Sequence, residues 1–222
     1  MPKGKKIRMR TNSAQPVQVH ELKITLCGCK PPIWRRVAVS SNMRLSDLHQ
    51  VIQVVMGWGN YHLHQFIIPN TRPKPTREEL ASLDWQARYE RLTMCRDRCW
   101  SDPRMEVEGA EDESRVTLSE LAPAVKSKLI YEYDFGDGWE HLIKVVKIGP
   151  PVEAVKYPLC LAGKLACPPD DSGGIWGYYE KLKVLKNPKH EDYENTLEWM
   201  GKNFDPEHFD LEKINATLMK LK

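Results

Sequence analysis

An aspartate and a histidine flank a predicted tight turn, where they could form a carboxylate–imidazole pair. Residues 129–148 contain two β-rich runs around Asp137-Gly138, and Asp-Gly is a preferred sequence for a two-residue hairpin turn. This turn places Asp134 opposite His141, whereas a longer loop would place Asp134 opposite a glutamate, an unfavourable pair of like charges. A carboxylate beside an imidazole orients the ring for metal binding or proton transfer. The alternative is a cross-strand pair that only fixes the register.

A second segment, residues 157–178 (YPLCLAGKLACPPDDSGGIWGY), combines prolines, aspartates and glycines immediately before a predicted helix. Glycine-rich loops at helix starts often hold phosphate, but two adjacent aspartates would repel it unless a divalent cation lay between them. The alternative is that Asp171 or Ser172 caps the helix. Together the hairpin and this loop supply the candidate ligand-binding residues, which are Asp134, Asp137, Trp139, His141, Pro168, Pro169, Asp170, Asp171, Gly173 and Gly174.

Several side chains in these segments belong to types that ligate metals. The metal-ligand candidates are Asp134, His141, Cys160, Cys167, Asp170 and Asp171. The two cysteines suit zinc, but six residues separate them, which is wider than the spacing of zinc knuckles. A cysteine nucleophile assisted by His141 is a further alternative, although free cysteines are often simply buried. The sequence therefore establishes no cofactor and leaves a divalent metal as a prediction.

Two further histidines, His62 and His64, lie two positions apart on a predicted strand and would project from the same face. Such a pair could bind a metal together with His49 from the preceding predicted helix. The alternative places one of them in the core and the other in solvent, because the sequence fixes no carboxylate nearby.

The positive charge of the chain is concentrated at its N-terminus. The formal net charge is +3 over 222 residues, and five basic residues lie within residues 1–10. Without these five, 28 basic residues face 30 acidic ones, so the body lacks the basic footprint of a nucleic-acid-binding surface. Residues 1–15 are predicted to be a disordered basic tail, and the alternative is an arm that contacts phosphates. The composition favours a protein or small-molecule partner over nucleic acid.

The hydropathy of the chain predicts a cytoplasmic protein without a membrane partner. No apolar run approaches the roughly 20 residues of a membrane-spanning helix, and no apolar stretch follows the basic N-terminus as in a signal peptide. In that compartment the six cysteines, although even in number, are expected to remain thiols.

The elements that must position these residues indicate an α+β fold. The chain opens as β-β-α-β, and the central hairpin then joins a mostly antiparallel sheet. Residues 149–174 are predicted to form a loop, and helices of the C-terminal third pack on the sheet. The predicted strands are 17–27, 33–40, 62–68 and the two arms of the hairpin, and the predicted helices are 42–57, 78–94, 119–125, 175–185, 191–200 and one beginning near Asp210. We expect residues 16–222 to form a single domain.

Four ordered segments carry a resemblance to a known family. They are MRLSDLHQVIQVVMGWGNYHLHQF (43–66), YEYDFGDGWEHLI (131–143), YPLCLAGKLACPPDDSGGIWGYYEKL (157–182) and NTLEWMGKNFDPEHFDLEKIN (195–215). In this order they resemble the signature blocks of the plasmid pRiA4b ORF-3-like family, over roughly residues 17–215. This chain has Asp170-Asp171 where the family is expected to have a glutamate followed by an aspartate, which shortens one acidic side chain.

The resemblance implies a fold and a candidate surface rather than an established reaction. Members of the family occur on plasmids, in chromosomes and as passengers of insertion elements, which implies an accessory role in mobile elements. The first hypothesis is a non-catalytic binding module that uses the hairpin tip and residues 168–174. One rival is a metal-dependent hydrolase, whose groups would be Asp134, His141, Asp170 and Asp171. Another is a DNA-binding protein that uses the basic N-terminal arm.

Overall fold

One sheet of eight strands runs through the described part of the chain, which in this computed structural model comprises residues 17–70, 75–88 and 97–221. The strands are β1 (Val19–Leu26), β2 (Trp34–Ser40), β3 (His64–Ile68), β4 (Arg98–Ser101), β5 (Glu111–Asp112), β6 (Lys128–Tyr133), β7 (Trp139–Gly149) and β8 (Leu159–Lys164). Their spatial order is β5-β4-β3-β6-β7-β1-β2-β8. All neighbours are antiparallel except β4 and β5, which confirms the predicted α+β fold with a mostly antiparallel sheet.

The helices follow the predicted order along the chain. They are α1 (Leu45–Met56), α2 (Arg77–Ala81), α3 (Leu118–Leu121), α4 (Gly174–Leu185), α5 (Tyr193–Met200) and α6 (Leu211–Leu218). Residues 85–88 are also helical, and the remainder of the helix predicted at 78–94 lies outside the described residues, as does the predicted basic tail. Among the described residues no helix combines the length and the apolar character that crossing a membrane requires.

Helix α1 shows how the hydrophobic pattern determines local structure. Leu45, Leu48 and Ile52 are fully buried at the spacing of an amphipathic helix that packs on a sheet. Gly57 ends the helix in the left-handed conformation (φ 86°), and its amide donates to the carbonyl of Gln53. One hydrophobic cluster joins this helix face to the central strands.

The hairpin formed by β6 and β7 has a different register from the predicted one. His141 lies opposite Tyr131, so Asp134 belongs to a longer loop and does not face His141. The reason is local: Asp134 has a positive φ (54°), and its carboxylate accepts hydrogen bonds from the amides of Gly136 and Asp137. A turn closed by an aspartate side chain therefore replaces the predicted two-residue turn.

This register does not place Asp134 opposite a glutamate, the pairing that the prediction avoided, but it brings two glutamates opposite each other. Glu132 pairs with Glu140 across the hairpin. Glu140 is exposed, and the carboxylate of Glu132 accepts a hydrogen bond of 2.7 Å from the side chain of Gln65 on β3. Solvent and this neighbour reduce the repulsion enough for the loop to determine the register.

Strand β8 forms one edge of the sheet, within the stretch that was predicted to be a loop. It pairs with β2 around a bulge, and this irregularity interrupts the alternating pattern by which a strand is predicted. On its outer side, the side chain of Asn215 accepts a hydrogen bond from the amide of Cys160 (2.8 Å) and donates one to its carbonyl (2.9 Å). A side chain from α6 thus occupies backbone groups at the sheet edge.

Candidate functional site

The hairpin loop and the loop before α4 are in direct contact. The carboxylate of Asp137 accepts a hydrogen bond of 3.0 Å from the amide of Gly173. Gly174 approaches so closely that a Cβ at this position would lie 2.6 Å from the carbonyl oxygen of Asp137, and its φ of 67° also favours glycine. The two segments that the sequence singled out therefore converge at one place in the fold.

A third segment, the loop between α1 and β3, completes this junction. The indole N–H of Trp58 donates to the carbonyl of Pro168 (2.9 Å). The amide of Gly59 donates to the carboxylate of Asp170 (3.0 Å). These bonds hold residues 168–174 against the α1–β3 loop while the hairpin holds them from another side.

His62, Asp134 and Asp171 form a cluster at the junction, one residue from each of the three loops. The Nε2 atom of His62 lies 3.3 Å from Oδ1 of Asp171 and 3.7 Å from Oδ2 of Asp134. Within the described ranges this is the one group of three such residues whose ligand atoms all lie within 4.8 Å of one another. Atoms that bind a metal at about 2.0–2.2 Å lie up to roughly 4.4 Å apart, so small side-chain adjustments would let one ion contact all three.

The backbone conformation of both aspartates helps to direct them toward His62. Asp134 (φ 54°) and Asp171 (φ 59°) are in the left-handed region, which aspartate adopts more readily than most residues. The side chain of Asp134 is 11% exposed, because its loop folds over it, whereas that of Asp171 is 71% exposed. The cluster therefore has one buried and one solvent-facing carboxylate.

The imidazole of His62 lacks a hydrogen-bonding partner at the atom that faces these carboxylates. Its Nε2 is shielded from solvent and makes no hydrogen bond, although both carboxylate oxygens are near. The ring packs edge-on against Tyr133, with the centroids 5.7 Å apart. Buried polar atoms are nearly always hydrogen-bonded, so this nitrogen is an exception that a bound cation would remove.

A cavity of about 370 Å³ opens beside the cluster, and its lining includes His62, Asp134, Tyr61 and Phe135. One imidazole nitrogen and two carboxylate oxygens are donors that Zn²⁺, Mn²⁺ and Fe²⁺ accept. Three protein ligands leave coordination positions for water or a ligand on the open side. The residues present therefore fit a divalent transition metal.

A family model described as Plasmid pRiA4b ORF-3-like protein matches residues 18–213 of this chain. The chain belongs to this family. The match includes all three loops of the junction, so the resemblance carried by the four sequence segments is confirmed.

Two relatives show how far the family likeness extends. An uncharacterized protein of Sinorhizobium fredii, y4hQ, is 36% identical over 202 residues, which make up 90% of each chain. The crystal structure of MM3350, a protein of unknown function from Methanosarcina mazei Go1, matches with a TM-score of 0.72 at 37% identity and covers 89% of this chain and 98% of that one. Both matches thus extend over about nine tenths of this chain.

The predicted pair of Asp134 and His141 does not form. His141 is fully buried, and its Nδ1 donates to the carbonyl of Tyr131 at 3.2 Å. Burial lowers the pKa of His141 to about 4, so the ring is neutral near pH 7. Trp139 is also fully buried, because it pairs with Tyr133 at the end of the strands. The structure places both predicted site residues in the core.

Cys160 and Cys167 are buried thiols that do not join the cluster. The sulfur of Cys160 lies 3.7 Å from the carbonyl of Ala162, and that of Cys167 lies 3.6 Å from the sulfur of Met56. Burial raises the pKa of both thiols, that of Cys167 to about 12, which disfavours the thiolate that a nucleophilic reaction needs. The five cysteines in the described ranges are free thiols.

His62 and His64 do not act as a pair. Strand β3 begins at His64, whose ring stacks on His49 with centroids 3.5 Å apart and whose Nε2 lies 2.9 Å from the carboxylate of Glu113. His49 also hydrogen-bonds with the hydroxyl of Tyr131 (2.8 Å). His49 and His64 thus belong to a buried polar network, and His62, which precedes the strand, turns toward the aspartates.

The helix-capping alternative for Asp171 and Ser172 is wrong. Gly173, rather than Asp171 or Ser172, is the N-cap residue of α4, and it has no side chain with which to cap the helix. The hydroxyl of Ser172 donates to the carbonyl of Pro169, while Asp171 faces His62. Of the predicted candidates, the cluster contains Asp134 and Asp171, and the residues that frame it are Asp137, Pro168, Pro169, Asp170, Gly173 and Gly174.

His62 is the site residue that sequence reasoning did not connect to the hairpin. The sequence near His62 offers one indication: it lies between the glycine-containing end of α1 and the start of β3. A side chain in such a loop does not have to follow the alternating directions of a strand. The contact with Asp134 and Asp171 depends on three loops distant in sequence, and no local pattern encodes it.

Proposed function

We propose that this protein is a binding module whose site is the junction of the three loops, and that His62, Asp134 and Asp171 bind a divalent transition-metal ion there. The observation that carries this proposal is the cluster itself, with one nitrogen and two carboxylate oxygens within 4.8 Å of one another. The unpaired Nε2 atom of His62 supports it, since an ion would provide the missing contact.

The charge of the cluster favours a metal ion over a simple ion pair. A protonated His62 would neutralise one of the two carboxylates that face it. Of the described basic side chains, His62 is the single one within 4.0 Å of Asp134 or Asp171. A divalent cation would neutralise both carboxylates at once, and it would be the largest local charge in the site.

The donor set also bears on which ion is bound. Calcium and magnesium prefer oxygen ligands alone, whereas an imidazole nitrogen favours zinc or iron, and manganese binds well to the two carboxylates. The carboxylate of Asp171 is exposed, so an ion from solvent can bind it first and then reach the buried carboxylate of Asp134. Binding would then connect residues 168–174 to the hairpin loop more firmly than the existing hydrogen bonds do.

A metal titration of chelator-treated protein tests the proposal. Isothermal titration calorimetry with Zn²⁺ and with Mn²⁺ is expected to show one ion bound per chain. His62→Gln, Asp134→Asn and Asp171→Asn should each weaken the affinity by about tenfold or more. Asparagine retains a side-chain acceptor and tolerates positive φ, so the two loops should keep their conformation.

A matched control for these variants is available elsewhere on the surface. His190 and Asp192 form an exposed histidine–aspartate pair at 3.9 Å, outside the cluster. His190→Gln should leave the affinity and stoichiometry unchanged. If no ion binds stoichiometrically, or if this control weakens binding as much as His62→Gln, the metal site is refuted.

A metal-dependent hydrolase is a second candidate, because three protein ligands leave a coordination position for the water that such an enzyme activates. His141 is fully buried, so this candidate uses His62 in its place. Assays of the metal-loaded protein with chromogenic esters and phosphodiesters separate the two functions. Turnover that requires the ion and is lost in Asp171→Asn would show an enzyme, and a bound ion without turnover supports the binding module.

We further propose that the module is an accessory protein of plasmids or mobile elements that recognises a protein or small ligand; the family's description names a plasmid. Direct DNA binding through the N-terminal arm remains a separate prediction. Its test is deletion of residues 1–14, followed by DNA-binding measurements at several salt concentrations. A salt-sensitive affinity that this deletion leaves unchanged would exclude the arm.

A further inference from the structure

A cavity of about 580 Å³ lies between the C-terminal end of α1, Arg35 of β2, the segment after β8 and helix α6. It contains none of the three residues of the metal cluster. Its volume falls in the range that sites for small molecules occupy. The walls are largely apolar, and they include Val54, Met56, Phe204 and Ile214.

Arg35 forms the charged end of this cavity. The residue is 3% exposed, and its guanidinium donates hydrogen bonds to the carbonyls of Val55, Trp34 and Lys164. In the described part of the chain, no carboxylate lies within 4.0 Å of the guanidinium. Buried charges are normally paired, and carbonyl dipoles offset only part of a full charge. Arg35 is therefore a buried cation that lacks an anionic partner.

The other charged groups at the cavity do not supply that partner. Lys213 and His208 line it, and the acidic residue of the lining is Asp210. Asp210 is the N-cap of α6, and its carboxylate accepts a hydrogen bond of 2.9 Å from the amide of Lys213. Its charge is thus engaged at the helix N-terminus. The cavity combines apolar walls with a cationic end.

We propose that this cavity binds a small amphipathic monocarboxylate, with its carboxylate against Arg35 and its apolar body against Met56, Phe204 and Ile214. A guanidinium and a carboxylate form strong charge-assisted hydrogen bonds, and the burial of Arg35 strengthens them. A phosphate dianion fits less well, because part of its polar surface would lie against the apolar side chains of Met56, Phe204 and Ile214. The ring of Phe209 lies 4.9 Å from the guanidinium carbon and holds it in place.

Calorimetric titration with straight-chain carboxylates from butyrate to dodecanoate, each beside the alcohol of equal length, tests this proposal. We expect saturable binding of one carboxylate per chain, with the highest affinity at an intermediate length. The affinity for the matched alcohol should be lower by a factor of about ten or more, since the alcohol lacks the charge that pairs with Arg35. Inorganic phosphate should not displace the carboxylate.

Variants separate the cavity from non-specific binding. Ile214→Trp should fill the cavity and abolish carboxylate binding while the circular dichroism spectrum stays unchanged. Arg35→Gln should remove the preference for the acid over the alcohol, and Lys213→Met should reduce it without disturbing the core. Lys220→Met, on an exposed residue outside the lining, serves as the control and should bind like the wild type.

Several results would overturn the assignment. They are equal affinities for acid and alcohol, carboxylate binding that survives Ile214→Trp, displacement by phosphate, or the absence of binding across the whole series. The Asp171→Asn variant keeps this test independent of the metal site. It should bind the metal ion more weakly but bind the carboxylate with wild-type affinity, so each proposal can fail alone.

Discussion

The carbonyl oxygen of Asp137 lies 2.6 Å from the place where a Cβ on Gly174 would be. This contact joins the hairpin loop to the first turn of α4, and it leaves room for glycine alone. The distance from His62 to Asp171 depends on the same contact, because Asp171 is three residues before that glycine.

Replacing Gly174 by alanine should therefore destabilise the fold. The left-handed conformation costs alanine about 1–2 kcal/mol, and the overlap with the backbone of Asp137 adds roughly 1–3 kcal/mol. Urea denaturation measures the free energy of unfolding. Gly57→Ala is the control, since Gly57 is also left-handed but nothing lies within 4 Å of its Cβ position. Equal losses for the two variants would contradict the role of the contact.

Asp137 should affect metal affinity although it is not a proposed ligand. Its carboxylate holds the amide of Gly173, so Asp137→Ala should loosen the loop that carries Asp171 and weaken metal binding about tenfold. Asp137→Asn retains an acceptor oxygen and should keep most of the affinity. Calorimetric titration with Zn²⁺ compares the two. An alanine variant that binds as tightly as the wild type would show that the hydrogen bond does not position the site.

Acid should destabilise the protein through its buried histidines. Burial lowers the pKa of His141 to about 4 and that of His49 to about 3, against 6.5 when unperturbed. Between these values the unfolded state binds more protons than the folded state. The stabilisation is therefore fully present above the unfolded pKa and is lost as the pH falls through the folded values. For His141 alone we expect a loss of about 2 kcal/mol between about pH 7 and about pH 5.

Urea denaturation of the His141→Leu variant at both pH values isolates this contribution. Its free energy of unfolding should change less with pH than that of the wild type. If His141→Leu retains the full pH dependence, the buried imidazole is not its source.

The cysteines should differ in their reaction with iodoacetamide. Burial raises the pKa of Cys167 to about 12, and that of Cys160 is raised for the same reason. Both should be alkylated only after global unfolding, whereas the half-buried Cys27 and Cys99 should react in the native protein. Mass spectrometry of peptides after timed labelling measures the order. Early labelling of Cys167 would contradict its burial.

The sequence predicted correctly the helices whose ends and buried faces depend on residues close together in the chain. The apolar spacing of α1 and the glycine that ends it gave a helix close to the observed Leu45–Met56. The helix predicted to begin near Asp210 is α6, and Asp210 caps it by accepting a hydrogen bond from the amide of Lys213. In both cases the decisive interactions lie within a few residues of each other in the sequence.

The hairpin register and the third member of the cluster needed tertiary information. A type I′ turn and the observed loop both suit Asp137-Gly138, and the choice depends on the carboxylate of Asp134 binding the loop amides. His62 meets Asp171 only because the α1–β3 loop, the hairpin and residues 168–174 meet at one place. Convergence of two segments was predicted from their chemistry, but the identity of the histidine was not.

The side chain of Asn215 also governs how the molecule behaves toward other copies of itself. A sheet edge with free amides and carbonyls can recruit a strand from a neighbouring chain, and this is how many amyloid-like polymers grow. Asn215 hydrogen-bonds with both the amide and the carbonyl of Cys160, so these two groups of β8 cannot pair with a strand of another chain. Protection against polymerisation is thus supplied to the strand by a helix.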